Sequence, residues 1–287
     1  MLNSLKLYLA MPCNEGRRIR TISRYFLAKS LKYAGITKKI DWPPGMNSKM
    51  FYRPNCTVSE KCLICGKYDH DTMRFLEEQL GAQEVFYDVG ANVGPFSILA
   101  SLCGATVFAF EGAPSTHKRL QENFLLNSIE VEHALNLAVS DTSKEVNFLD
   151  DEGSSVNQIV EDRACKVKAV SIDDFAETHP APSFVKIDTE GHELKVIQGM
   201  QRVLGTGQVQ FVSFEANGLL AESDLSLTGQ IFRDHEFLVG LLDFDTRTFT
   251  VYDDLGDKSP TGDYLAIHSN YVEQLDKRGY QFRPTMG

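Results

Sequence analysis

A chain of 287 residues, with a net charge of −10 and 43% hydrophobic residues, has enough apolar material for one large core and no stretch that approaches a membrane span. The charge is uneven: residues 1–39 hold nine Lys/Arg against Glu15 alone, a balance of +8 that leaves −18 on the remainder. So acidic a body excludes general nucleic-acid binding, and six unevenly spaced cysteines suit reduced thiols in a cytoplasmic compartment rather than a secreted disulfide framework.

In chain order, MLNSLKLYLAMP is too short and broken for a signal peptide. Over residues 17–34, Ile19, Ile22, Phe26 and Leu27 share one helical face with most of the bases opposite. That pattern predicts a helix packed on the domain with its basic face solvated. The basic arm can meet an anionic substrate, or make weak, salt-sensitive peripheral contact with an anionic membrane; it is expected to shape the acceptor side rather than to anchor the protein. The break Asp41-Trp42-Pro43-Pro44-Gly45 sets an N-terminal extension, residues 1–50, apart from a domain over 51–287. Phe51–Arg53 and Val58–Ile64 read as short strands, and Asp71–Leu80 as a helix capped by Asp71 and stopped by Gly81. Cys56, Cys62, Cys65 and His70 invite a zinc reading, but their spacing lacks a second paired half; buried thiols in an irregular strand are the expectation.

The next stretch organises the rest. In VFYDVGANVGPFSILASLCGATVFAFE, residues 85–111, an apolar strand carries Asp88, a glycine turn holds Gly90, Asn92 and Gly94, a helix follows, and a second strand closes on Glu111. This is the first half of a nucleotide-binding α/β sheet, with an acid 21 residues after Gly90, where a carboxylate accepts hydrogen bonds from ribose hydroxyls. A dinucleotide site would want G-x-G-x-x-G. Here Asn92 stands at the second glycine, and Asp88 beside the turn repels a pyrophosphate but welcomes a cation. S-adenosylmethionine, with its ammonium and sulfonium, fits the turn better.

Beyond Glu111, a helix opens at Pro114-Ser115 and Val131–Val139 is a third strand ending in Ser140-Asp141. Glu145–Leu149 and Val167–Val170 form an inserted pair around a polar loop. Ser183–Ile187 is a fourth strand ending in Asp188-Thr189-Glu190-Gly191, followed by a helix over His192–Leu204. Val209–Phe214 is a fifth, ending in Glu215-Ala216-Asn217, and Phe237–Phe244, Thr248–Tyr252 and Tyr264–Ile267 are a final antiparallel set. The alternation predicts an α/β fold, a doubly wound, mostly parallel sheet. Apolar strands have no folding reason to end repeatedly in acids, and ligands of open α/β sheets bind beyond the carboxyl ends of the strands.

DVGANVGPFSILA, VFAFEGAPSTHKRLQENFLLN, LAVSD, VSIDDF and FVKIDTEGHELKVIQGM resemble, in order and spacing, the FkbM family of S-adenosylmethionine-dependent methyltransferases, over about residues 68–216. The resemblance implies a Rossmann-like class I methyltransferase fold, a seven-stranded sheet with the last strand antiparallel, and O-methylation of a hydroxyl on a sugar or natural-product small molecule. Carried over by position, Asp88, Gly90 and Asn92 border the methionine part of the cofactor, Glu111 takes the ribose, and Ser140 and Asp141 lie where adenine is expected. Gly112-Ala113 stands where many relatives have E-P-N, which loosens that loop.

In-line displacement at a sulfonium needs an aligned acceptor and a group to take its proton. Asp188, Glu190, His192 and Glu193 are the candidates, His192 being the one whose unperturbed pKa is near neutrality; Glu193 has an alternative in pairing with Lys195 or Lys186. A divalent metal such as Mg²⁺ is a further expectation at Asp188, Glu215 and Asn217, three oxygen donors on two adjacent strands. The macrocin O-methyltransferase family resembles this arrangement and uses such a metal, although it carries paired aspartates where this chain has Glu215-Ala216-Asn217. Two other functions remain open at this level: a degenerate methyltransferase fold serving as a binding or scaffold module, and a nicotinamide-dependent oxidoreductase.

Overall fold

The computed structural model describes residues 2–150, 158–160, 165–216, 221–256 and 259–285. An N-terminal layer comprises helices α1 (Leu2–Ala10) and α2 (Arg18–Tyr33), the two-stranded pair β1 (Lys38–Asp41) and β2 (Lys49–Tyr52), and helices α3 (Thr57–Cys65) and α4 (His70–Gln79). The α/β alternation follows as β3 (Val85–Val89), α5 (Pro95–Leu102), β4 (Thr106–Phe110), α6 (Pro114–Leu126) and β5 (Ala134–Leu135). Next come β6 (Ala138–Val139), β7 (Lys144–Phe148), β8 (Cys165–Val170), α7 (Ile172–Phe175), β9 (Phe184–Ile187), α8 (Glu193–Gln198), α9 (Gln201–Leu204) and β10 (Phe211–Ala216). The chain ends with α10 (Glu222–Asp234), β11 (Phe237–Asp243), β12 (Thr248–Val251), β13 (Gly262–His268), α11 (Val272–Lys277) and β14 (Gln281–Pro284).

The main sheet has nine strands in the order β14-β12-β11-β13-β10-β9-β3-β4-β5. From β5 to β11 the row is the expected seven-stranded sheet: β5, β4, β3, β9 and β10 run parallel, and β13 lies antiparallel between β10 and β11. The hairpin partner β12 and the unanticipated β14, which pairs parallel with β12, extend it. Both faces are covered, so alternate residues of one strand enter different cores. Phe86 packs with Phe96, Leu99 and Phe124 on one side; Tyr87 and Val89 pack with Phe110, Phe175 and Ile187 on the other. Fully burying each such aromatic or aliphatic side chain stabilises by about 1.5–3 kcal/mol.

Several local expectations are corrected. Helix α2 does not pack through Ile19, Ile22, Phe26 and Leu27; its buried stripe is Thr21, Tyr25, Ala28 and Leu31. Tyr25 meets Tyr8 of α1 and Tyr52 Oη donates to the Ala28 carbonyl at 2.9 Å, so aromatic packing outweighed the aliphatic stripe. Residues 58–64 are helix, not strand. Cys56 caps α3 by accepting from Ser59 N, and Gly66, at φ +86°, ends it in the left-handed conformation. A short apolar run buried on all sides has no periodicity to separate strand from helix. Cys56, Cys62 and Cys65 are buried free thiols there, while His70 lies 3.3 Å from Asp245. The N-cap position of α4 is Asp69; Asp71 instead accepts from Phe244 N, tying the helix to the sheet.

Residues 131–139 are not one strand. A 3₁₀ turn leads into β5, and β6 leaves for a separate sheet of order β6-β8-β7, the inserted pair foreseen above plus one strand. Asn136 makes the break: its Nδ2 donates to the carbonyls of Glu111 and Gly112 at 2.9 and 3.0 Å. The helix after His192 also divides, at Gly199, where a Cβ would collide with the Ser140 carbonyl.

Candidate active site

The sheet order places the carboxyl ends of β4, β3, β9 and β10 side by side, so Glu111, Asp88, Asp188 and Glu215 follow one another along one edge. A cleft of about 790 Å³, open mouth included, lies above them. Gly90, Asn92, Glu111, Gly112, Phe148, Lys186, Asp188, Glu190 and His192 are among its walls.

The glycine turn is built for close approach. Gly90 sits at φ +77°, and a Cβ there would run into the Asp188 carbonyl oxygen, so backbone conformation and space both demand glycine. Its amide and that of Ala91 donate to the Phe110 carbonyl, each at 3.0 Å, which locks the turn against β4. Asn92 takes φ +50°, and its own amide donates to Glu111 Oε2 at 2.9 Å. Glu111 Oε1 accepts from Ala113 N at 2.8 Å. Each carboxylate oxygen therefore keeps capacity for one more donor from the cleft. Burial pushes the Glu111 carboxyl up to about 7 against the downward pull of those two amides. The Gly112-Ala113 loop is not loose: the Phe148 ring lies so close to Gly112 that any Cβ would strike it.

Asp88 is buried, accepts from Ser97 Oγ at 2.5 Å, and is pushed up to about 6 by burial, partly offset by Lys186. Lys186, its register partner on β9, is a buried lysine in an apolar strand. Its Nζ lies 3.0 Å from Asp188 Oδ2 and 4.6 Å from the Phe96 ring centroid. Burial pulls its ammonium down, but Asp188, Asp263 and Asp88 together more than offset this and hold it charged.

At the far end of the cleft, Asp188, Glu190 and Glu215 each place an oxygen within 4.8 Å of the others. Burial first, then Asp188 and Glu215, push the Glu190 carboxyl up to about 7. Glu190 itself stands at φ +56° in a turn clasped by Glu193, whose oxygens accept from Thr189 N, Thr189 Oγ1 and Gly191 N at 2.9–3.0 Å. Glu193 is thus a fully buried brace rather than a proton acceptor or a lysine's partner. Asn217 lies outside the described residues.

Ser140 and Asp141, expected near adenine, do not form the cleft wall. Ser140 is buried behind it, and Asp141 is held well below the usual carboxylate range, first by Lys144 at 2.9 Å, with Lys195 adding at 3.2 Å. The residues before and beside them, Leu137, Ala138, Phe148 and Ile159, make that wall instead, and it is apolar. His192 reaches the cleft but engages Ser140 Oγ at 2.9 Å through Nε2, and burial lowers it to about 4. It is neutral at pH 7 and a weak base.

Two residues in or near the cleft carry no motif: Tyr68 in its wall, and Asp263 beside Glu215. Tyr68, from the segment before β3, lies edge-on to Phe96 with Lys61 over its ring. Asp263 faces Glu215 across the β10–β13 ladder. Although this residue keeps solvent contact, its carboxyl is pushed up to about 7, chiefly by burial and then by Asp69. Lys186 stands at the centre of the quoted FVKID motif, between strand residues and the strand-end Asp188, and that position was the signal for it in the sequence.

The chain is similar to several known methyltransferases. The hexuronic acid methyltransferase AglP of Haloferax volcanii is 32% identical over 187 residues, covering 60% of this chain and 76% of that protein. Among solved structures, a methyltransferase FkbM of Methylobacillus flagellatus aligns with a TM-score of 0.47 at 17% identity over 74% of this chain. The matched part is 52% of that protein, so this chain spans about half its length. A SAM-dependent methyltransferase of Agrobacterium tumefaciens aligns with a TM-score of 0.43 at 9% identity, over 81% of this chain and 70% of its own. The methyltransferase FkbM domain matches residues 88–243, from Asp88 in β3 to the end of β11, and with more than half of its length inside that match the chain belongs to the FkbM methyltransferase family.

Proposed function

We propose that this protein is an S-adenosylmethionine-dependent O-methyltransferase whose acceptor is a hydroxyl of a neutral sugar or glycosylated small molecule. The observation that carries the reading is the cleft's polarity: an apolar wall with a buried ribose-type acid at one end, and a cluster of carboxylates at the other. The residues fit the cofactor. Phe148, Ala138 and Leu137 offer a flat apolar seat for adenine, Glu111 has an open acceptor position on each oxygen for the ribose, and the Gly90–Asn92 turn with Asp88 offers backbone and negative charge to the amino-acid part. When bound, S-adenosylmethionine supplies a methyl on a leaving group that needs no acid.

The protein's own task is alignment and proton removal. Glu190, pushed up to about 7, is matched to taking a hydroxyl proton at neutral pH, whereas His192 near 4 is not. Asp188 and Glu215 hold neighbouring hydroxyls, and Lys186 offsets the charge. These acids, with one cation already paired, disfavour an anionic acceptor. The relative's name supports a sugar; the acid cluster supports a neutral one, and assays of a neutral glycoside beside a uronate separate the two.

Saturating S-adenosylmethionine or S-adenosylhomocysteine is expected to stabilise the protein by about 2.7 kcal/mol at a hundred times Kd, several degrees in Tm, with NAD without effect. A shift with NAD alone would return the oxidoreductase reading. A divalent cation is the alternative use of the same cluster: shared by the oxygens of Asp188, Glu190 and Glu215, Mg²⁺ or Mn²⁺ would relieve their mutual repulsion and make Glu190 a ligand rather than the proton acceptor. Turnover is then expected to vanish in excess EDTA and to return with Mg²⁺; full turnover in EDTA leaves the acids as direct hydrogen-bond acceptors.

A further inference from the structure

A second cavity, of about 1,040 Å³ with its open mouth included, lies where the start of α2, the turn at Pro43 and Pro44, the loop between α3 and α4, and α4 itself come together. It shares no wall residue with the active-site cleft, and every residue that lines it falls outside the stretch 88–243 that matches the FkbM domain. The α3–α4 loop divides the two: Tyr68 lines the cleft, Lys67 the cavity. Arg17, Arg20 and Arg74 line the cavity, and none of the three makes an ion pair among the described residues. The acids of the same wall do not serve them. Glu77 pairs with Lys67, Asp245 lies 3.3 Å from His70, and Glu15 pairs with no base among the described residues. Two of the arginines are held in place by packing: a Cβ at Gly66 would stand 3.3 Å from Arg20 Nη2, and Arg74 lies 4.6 Å from the Phe244 ring centroid. Positions 17, 20 and 24 fall within about 60° of one another around the helix. Burial, then Arg20 and Arg17, pull the Arg24 guanidinium downward, a like-charge crowding that folding alone would avoid. The carboxyl end of α3, at Gly66, supplies only about half a negative charge against it.

We propose that this cavity binds a phosphoryl group, with Arg17, Arg20 and Arg74 as the residues that hold it. A guanidinium offers a planar fork of donors that matches two oxygens of a phosphate, and such charge-assisted pairs are about twice as strong as neutral hydrogen bonds. In a chain with 39 acids to 29 bases, arginines gathered round one cavity without acid partners need a counter-charge from outside the chain. Three positive groups favour a doubly charged oxyanion over a carboxylate. The space admits a diphosphate or a phosphate ester as well as inorganic phosphate. The carboxylates of the active-site cleft repel the same ion, so the two sites take ligands of opposite charge. Binding here is independent of the catalytic reading, because no residue of the cavity belongs to the cleft.

The test is calorimetry of the full chain with inorganic phosphate, inorganic pyrophosphate and glucose 1-phosphate, at one ionic strength, with acetate as the singly charged comparison. All three phosphoryl compounds are expected to bind at least about tenfold more tightly than acetate, and less tightly as salt is added. Arg20→Gln and Arg74→Gln are each expected to weaken pyrophosphate by about 10- to 100-fold, the loss of a hydrogen-bonded charge, and the exposed Arg17→Gln by about tenfold. Arg20→Gln also relieves the crowding, so its Tm without ligand is at least that of wild type, and the response to S-adenosylmethionine is unchanged in all three variants. Glucose 1-phosphate binding more tightly than inorganic phosphate supports the site and assigns it to a phosphate ester; the reverse order supports it and assigns the inorganic ion. No binding of any phosphoryl compound, equal affinity for acetate, or variants that bind as wild type would each overturn the proposal. A lower ligand-free Tm in Arg20→Gln together with undiminished pyrophosphate binding in Arg17→Gln would overturn it too, and leave the arginines as braces of the α3 terminus.

Discussion

Replacing Glu190 with glutamine is expected to lower kcat by about 10²–10⁴-fold, the usual loss when a positioned general base is removed, with a much smaller effect on KM. Glutamine keeps the shape and can keep the φ +56° backbone, because the brace on that turn is Glu193 and not Glu190 itself. The pH profile is the sharper readout. With the carboxyl pushed up to about 7, wild-type kcat/KM rises with pH and levels off above that value; the residual rate of the variant loses this limb. Stability moves the other way. A carboxyl raised above its unfolded pKa binds more protons when folded, so its contribution is full below about 4.5 and is lost as pH rises toward 7. The variant is therefore at least as stable as wild type at pH 8. Equal kcat values, or a limb that persists in Glu190→Gln, would transfer the proton to another group, Asp263 being a carboxyl near Glu215 that is also held near 7.

Glu111→Ala is expected to weaken S-adenosylmethionine binding by about 2–4 kcal/mol, the loss of two hydrogen bonds to a charged acceptor. That is roughly a 30- to 1,000-fold rise in Kd. The truncation also strands the amides of Asn92 and Ala113, so Tm falls as well, and Glu111→Gln is the companion that keeps the shape while losing the charge. Proton release separates the ligand role from the structural one. The free carboxyl is pushed up to about 7 by burial, so at pH 6 most of it is protonated; ribose hydroxyls donate best to the ionised form. Binding then expels a proton and tightens as pH rises from about 5 to 7. Calorimetry in two buffers of different ionisation enthalpy is expected to show that release in wild type and its loss in Glu111→Gln. Unchanged affinity in both variants would remove Glu111 from the cofactor site.

Much of this was legible because strands buried on both faces tolerate only apolar residues, so every exception stands out. Asp88, Glu111, Asp188 and Glu215 interrupt Val, Ile and Phe at strand ends, and parallel topology brings all four to one edge. The turn glycines were legible for the same reason: Gly90 has a backbone angle and a neighbour that no side chain accommodates. Long-range contact was less so. Strand β14 is a terminal segment that acquires its identity from β12, and α3 is a short apolar run whose period fits either state.

The sequence by itself determined the α/β sheet, the carboxylate edge and the glycine turn, because periodicity, glycine and misplaced charge are local properties. Only the tertiary structure decided which acids share one electrostatic environment. Lys186 pairs with Asp188, Glu193 braces a turn, Ser140 engages His192, Asp141 is paired with Lys144 and Lys195, and Glu190 rather than His192 lies near neutrality. A pKa depends on burial and on charges brought from distant strands, and which stripe of α2 meets the core depends on the aromatic partners waiting there. Neither is written in the spacing of residues along the chain.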